Sequence, residues 1–325
     1  MLQRFFAIAA NTCAETLRQP IYGVVIAATV LVLVFSPSLV MFTLDDDNLL
    51  LRDIGLSTLL VAGMLLGVFA AATTVTEEIE TRTALTVISK TVGRGAFILG
   101  KFAGIAAAVL LGEYLLSLVL LMVVRHGVLQ AAYEHSDLVV ITLGAAALLL
   151  TFLAGLAANY FYRWRFSSTA ILLGALLGTI TLALLAFINV NWQFSREKLL
   201  AWELLRPILL VVLAVLILSA VALAAATRTN MTLTLVICSL VFLLGAVTES
   251  SLGPLARSGH GLAHYAAWIP LALLPNISFF LVTNAIYQNT TVPLAYLAQA
   301  ALYALLYVTA CLLFAIALFR SRDLG

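Results

Sequence analysis

Four groups of residues in this chain have types and spacings that could do chemistry. Gly95 to Lys101 reads GAFILGK, the G-x-x-x-x-G-K spacing of a phosphate-binding loop. A working loop of that kind follows a strand, opens a helix and places Ser or Thr after the lysine to hold Mg²⁺. Here Phe102 stands in that place, and the residues around it, AFILGKFAGIAAAVLL, form one apolar run suited to lipid. Glu77, Glu78 and Arg82 spell E-E-x-x-x-R, a paired acid that could activate water if histidines lay within hydrogen-bond reach. His126, His135, His260 and His264 all fall in predicted outer loops, on the other side of a bilayer from that pair. His260 and His264 stand four apart, a spacing that can bring two imidazoles to one metal on a helix. Their flanking Gly259 and Gly261 weaken a helix there, and no third ligand is near in sequence, so they read as exposed loop histidines. Glu113 is the acid placed well inside an apolar run. A charge near a bilayer centre costs about 2.5–3.5 kcal/mol on insertion scales, so such a residue faces a bundle interior. Three readings stay open for it: a polar group lining a pathway, a partner for a nearby Thr or Asn, or a protonated carboxyl.

The elements that must position these residues follow from composition. The chain has 325 residues, 63% of them hydrophobic and 10% charged. A water-soluble core of that length cannot hide so much apolar surface, so lipid is the expected solvent. The net charge of +2 and the lack of a basic cluster argue against nucleic acid as a partner. Cys13, Cys238 and Cys311 lie far apart in apolar surroundings, which predicts neither a disulfide framework nor a zinc site.

A membrane core needs about 20 apolar residues per helix. Eight stretches qualify: 21–43, 54–75, 96–124, 138–161, 167–190, 207–227, 231–249 and 293–319. The segments 162–168 and 227–230 must then be tight turns. The expected fold is an all-α, polytopic integral membrane helical bundle of six to eight spans, with eight favoured. Residues 1–19 carry apolar side chains at helical spacing and read as an N-terminal helix lying in the interface, not as a cleaved leader. Residues 20–325 form a single transmembrane domain. Small residues recur every four positions at Gly63, Gly67 and Ala71, at Gly100, Gly104, Ala108 and Gly112, and at Gly174 and Gly178, which marks close helix packing.

Orientation follows from the basic residues of the loops. One side would hold Arg4, Arg18, Arg82, Lys90, Arg94, Lys101, Arg163, Arg165, Arg228, Arg320 and Arg322, the other Arg52, Arg125, Arg196, Lys198, Arg206 and Arg257. Eleven against six predicts both termini in the cytoplasm, with Lys101 snorkelling to the inner face. The acidic 44–48 and the long segment 250–292 then face outward. Segment 250–292 carries Pro254, Pro270 and Pro275 with Tyr265 and Trp268, which suggests short helices dipping into the outer leaflet.

The inner segment between the second and third spans is the most informative of the loops. Glu77, Glu78 and Glu80 come first and Lys90 and Arg94 last, an order that complements a helix macrodipole. Ala84, Leu85 and Ile88 supply a small apolar face. A short amphipathic helix held between two spans would suit a docking partner; a solvated connecting loop is the plainer alternative.

This stretch, EEIETRTALTVISKTVGRGAFILGKFAG, resembles the signature that follows the second span in ABC-2-type permeases, the membrane subunits of a class of ATP-binding-cassette exporters. The match rests on Glu78, Ile79, Glu80, Ser89, Lys90, Val92, Arg94, Phe97, Gly100 and Lys101, and departs at Thr91, where that family usually has proline. LPNISFFLVTNAI and the final span are similar to the last outer loop and last helix of bacterial members. Residues 125–206 match poorly, and eight spans in place of the family's usual six would mean an inserted hairpin near 138–190.

The resemblance implies a coupling helix at 77–90 seated in a separate cytoplasmic ATPase subunit, with Glu77, Glu78, Glu80, Arg82, Lys90 and Arg94 as docking residues. It implies a second permease chain, as homo- or heterodimer, and no covalent chemistry or cofactor on this chain, ATP and Mg belonging to the ATPase. The expected location is the cell inner (plasma) membrane, in contact with lipid. The alternative is a non-transporting membrane scaffold or sensor holding a soluble partner on the same helix.

Overall fold

In the computed structural model, residues 2–40, 47–76, 93–128, 136–195, 199–257, 262–282 and 290–320 are described. They form ten α-helices: α1 Leu2–Arg18, α2 Pro20–Val40, α3 Asp47–Ala71, α4 Arg94–His126, α5 Leu138–Tyr162, α6 Phe166–Leu185, α7 Leu205–Ala226, α8 Met231–Arg257, α9 Leu262–Leu273 and α10 Leu294–Arg320. Eight of them, all but α1 and α9, are long and apolar enough to cross a membrane. The chain is an all-α polytopic bundle and a multi-pass membrane protein. The 163–165 and 227–230 connections are the tight turns that the span lengths demand.

The spans alternate, so α1, the 163–165 turn, the 227–230 turn and the end of α10 share one end of the bundle, called here the α1 end. Three span boundaries differ from the sequence expectation; α6 ends at Leu185, short of 190, where the Ser195 N–H donates to the Phe187 carbonyl at 2.8 Å. α3 starts at Asp47, not near 54, because the polar first turn is held from outside: the Asn48 Oδ1 accepts the Val128 N–H at 3.0 Å. α8 runs through Pro254 to Arg257, where an ion pair between Arg257 and Glu249 adds a rung two turns apart.

α4 is the central element, packed against α1, α2, α3, α5, α6, α7 and α10. Lipid provides no hydrophobic drive between helices, so association depends on close backbone approach and on polar contacts. The small-residue row of α4 supplies both. A Cβ at Gly104 would lie 2.5 Å from the Ala9 carbonyl oxygen and 2.6 Å from the Thr12 Cβ, so α1 seats directly on the helix backbone. Two turns further on, the Tyr22 hydroxyl of α2 donates to the Ala108 carbonyl at 2.5 Å and occupies the space beside Gly112.

Polar side chains then tie the two ends. Far from α1, Arg125 donates to Asp137 Oδ2 (3.2 Å), to the Ile188 carbonyl (2.7 Å) and to the Leu185 carbonyl. Asp137 in turn caps α5, accepting from the Val139 and Val140 N–H groups at 3.1 Å each. One buried pair therefore fixes the end of α4, the start of α5 and the end of α6. At the α1 end, Arg94 and Arg228 donate to the Arg320 and Leu318 carbonyls at 2.6 and 2.7 Å, filling acceptors that α10 cannot pair within itself.

The seating of α1 has a direct chemical reporter. Cys13 packs against the core beside Gly104, and burial pushes its thiol up from the ordinary range. Alkylation, which needs the thiolate, is therefore slow at neutral pH and accelerates with rising pH only above the free-thiol range. Gly104→Ala should displace α1, lower stability by about 1–3 kcal/mol and speed alkylation of Cys13 in a chain where Cys238 and Cys311 are serine. An unchanged rate would contradict the close approach.

Candidate functional site

The docking residues expected from sequence fall mostly outside the described residues. Glu77, Glu78, Glu80, Arg82 and Lys90 lie in 77–92; Arg94 is the member that the structure places. What the structure describes is how the two flanks of that segment are held. On the first flank α3 widens into a π-helical turn, Ala72–Thr76, a local form often found at functional positions. Thr73 donates to the Gln19 Oε1 at 2.7 Å, and Val75 is fully buried. On the second flank Arg94 is tied to the end of α10, and Phe97 stacks on Phe319 with ring centroids 5.7 Å apart. Both flanks are thus fixed to other helices, the first to the α1–α2 junction and the second to α10.

GAFILGK lies inside α4, in continuous helix from Arg94. From Phe97 onward its N–H groups serve the helix, the Phe97 N–H donating to the Gly93 carbonyl at 3.1 Å. Lys101 does not snorkel as expected: it is 2% exposed, 3.8 Å from the Glu15 carboxylate and 5.8 Å from the Phe97 ring centroid. The physical reason is α1, which lies over this turn of α4 and brings an acid to the lysine. A helix carrying Glu15 was legible in the sequence, but its pairing with a residue 86 positions away was not.

Glu113 sits where α3, α4 and α7 meet and is fully buried. A Cβ at Gly63 would collide with its Oε1 and with Val215 of α7, so the glycine leaves just enough room for the carboxyl. Both oxygens lack a hydrogen-bond partner among the described residues. The sequence alternative in which it bonds a nearby Thr or Asn is not met. Among the described residues neither principal cavity reaches it.

The other chemistry-bearing residues are placed apart. His126 ends α4 and His264 lies in α9, while His135 and His260 are outside the described residues. His126 and His264 are therefore helical, not in loops as expected. Among the described residues, no group of three or more His, Cys, Asp or Glu could hold a metal ion. Beyond the bundle, α9 and the 274–282 segment fold back over α8 and α10. Ile277 N–H donates to the Gly245 carbonyl at 3.1 Å, and the Asn276 side chain accepts from Ser278 (2.6 Å) and from the Phe279 N–H (3.1 Å). Tyr296, Tyr303 and Tyr307 line up along α10 against this cover, two of them donating to the Phe279 and Leu273 carbonyls.

In comparison with known proteins, no family model matches the chain and no curated protein matches it.

Residues missed from sequence are those whose partners are distant: Tyr22 on Ala108, Arg125 on Asp137, and Arg18 beside Arg163 and Arg165. Of these only the Asp137 cap had a local signal, an Asp directly before an apolar helical run. For Glu113, an unpartnered buried acid costs about 1–3 kcal/mol. Glu113→Met should therefore raise stability in detergent by about that amount. A fall would show that the carboxyl holds the three-helix junction together.

Proposed function

We propose that this chain is the permease subunit of an ABC-2-type ATP-binding-cassette exporter. A separate cytoplasmic ATPase subunit would dock on residues 77–90 and supply ATP hydrolysis and Mg. Two permease chains and two ATPases would form the working unit in the plasma membrane, and this chain would bind no nucleotide and make or break no covalent bond. The sequence signature at 78–101 brings the family to mind, and the observation that carries the reading is the anchoring of both flanks of 77–92.

A push on a loop that hangs free would be lost in the loop. Here the first flank leads into α3 and is tied to Gln19, and the second leads into α4 and is tied to α10 through Arg94 and Phe97. Movement of a docked partner would therefore pass into α3 and α4, whose interface with α7 encloses Gly63 and Glu113. That junction is the best candidate for the part of the bundle whose packing changes during transport, with Glu113 its polar element. The inner side in this reading is the α1 end, and both termini would lie in the cytoplasm. α5 buries only Val139, Val140 and Gly155 among its residues and packs mainly on α6, as expected of a hairpin added to the outside of a six-span bundle.

The test is capture of the tagged chain from its own host in mild detergent, with mass spectrometry and an ATPase assay. The control carries Glu78→Lys, Glu80→Lys and Arg82→Glu. A stoichiometric ATPase that is lost in the control is the expected result. No ATPase, or one indifferent to the reversals, would put the scaffold reading in its place.

A further inference from the structure

Eight of the eleven described arginines fall into two groups. Arg94, Arg125, Arg206, Arg228 and Arg257 each donate to a carbonyl or carboxylate of the chain. Arg18, Arg163 and Arg165 have no side-chain acceptor among the described residues, and the three line one cavity of about 540 Å³ at the α1 end. Ser168 and Thr169 of the first turn of α6 add hydroxyls to its wall, with Trp164 beside them. The deeper wall is apolar, made by Ala158, Leu172 and Leu173.

Local geometry holds these groups together. Asn159 donates to the Trp164 carbonyl at 2.6 Å and fixes the short turn between α5 and α6. Ser167 donates to the Gln19 carbonyl at 3.3 Å and draws that turn against the end of α1, so Arg18 arrives beside residues far away in sequence. Arg163 adopts a left-handed backbone (φ 54°) at the end of α5, where glycine is the usual residue. A guanidinium is thus present at a position that favours no side chain. The α6 N-terminus adds unpaired backbone N–H groups to the same space.

The depth of the cavity is marked by exposed aromatic side chains. Tyr160, Phe161, Tyr162 and Trp164 are 59–82% exposed and stand at the end of α5, as an aromatic belt at a membrane surface does. A site with three free guanidiniums and hydroxyls at the headgroup level, and leucines toward the hydrocarbon, matches one amphipathic ligand. We propose that this cavity binds the phosphodiester headgroup of an anionic phospholipid, with an acyl chain along Leu172 and Leu173. The arginines would grip the phosphate oxygens, which guanidinium geometry suits. The inference rests on the chain's being a membrane protein and is independent of the exporter reading.

The test uses the purified full-length chain in mild detergent, with phosphatidylglycerol brominated in its acyl chains as the probe and brominated phosphatidylcholine as the comparison. Trp164 fluorescence, identified by its loss in Trp164→Phe, is read as lipid is added. Saturable quenching by phosphatidylglycerol at concentrations where phosphatidylcholine does little is the expected result. Replacing Arg18, Arg163 and Arg165 together by glutamine should weaken it on the order of a hundredfold, while Arg257→Gln at the other end should leave it unchanged. Equal quenching by the two lipids, which needs no variant to observe, would overturn the proposal. So would quenching that survives the triple replacement in folded protein. Displacement of the lipid by millimolar inorganic phosphate would overturn it as well, since the cavity would then be a site for the free anion. An ATPase partner, found or not found, alters none of these outcomes.

Discussion

The bundle depends on how closely other helices can approach α4. Between helices surrounded by lipid there is no gain from removing apolar surface from water, so packing and polar contacts must hold them. Gly104 lets the α1 backbone rest on α4, and Gly112 makes room for the Tyr22 hydroxyl, which donates to the Ala108 carbonyl one turn before. A single row of small residues thus seats α1 and the spanning helix α2 in succession. The same contact brings Glu15 over Lys101, so a lysine that would otherwise reach for the surface is enclosed. The phosphate-loop spacing of GAFILGK is a by-product of packing: Gly100 and Lys101 answer to α1, while Gly95 lies against Ile316 of α10.

The bundle is tied at its ends by arginines, while its middle is closed by shape. Arg125 gathers α4, α5 and α6 on one side of the membrane core, and Arg94 and Arg228 gather α4, α7 and α10 on the other. These side chains satisfy carbonyls at helix ends, the one place where a helix leaves its own acceptors open. Arg18, Arg163 and Arg165 break that pattern by meeting around a cavity. Between the ends, Glu113 is a buried acid without a hydrogen-bond partner among the described residues, held at the junction of α3, α4 and α7 by the absence of a side chain at Gly63.

Most of the architecture was legible from runs of apolar residues, because a lipid core imposes one length on every span and the chain has eight runs of that length. The tight turns at 163–165 and 227–230 follow from the same count. Boundaries were legible only where polarity changes sharply. Asp47, Asn48, Arg52 and Asp53 read as a loop, yet they form the first turns of α3, since Asn48 finds the Val128 N–H across the bundle end. Lys101 was misread for the same reason: nothing local to it announces Glu15. The burial of Glu113 could be read from its place in a span, but its surroundings belong to three helices. The arginine cavity was out of reach altogether, because Arg18 and the 163–165 turn, far apart in sequence, are brought together by tertiary contacts such as that of Ser167 with Gln19.

The central claim is that residues 77–90 meet a cytoplasmic ATPase. It is tested most directly by placing a photoreactive side chain at Leu85, one of the apolar residues within that segment's sequence, and irradiating membranes of the native host. The account predicts a single prominent adduct whose second component is an ATP-binding-cassette ATPase, and loss of that adduct when Glu78 and Glu80 are reversed in charge. Adducts only with lipid, or with a protein that hydrolyses no nucleotide, would contradict it.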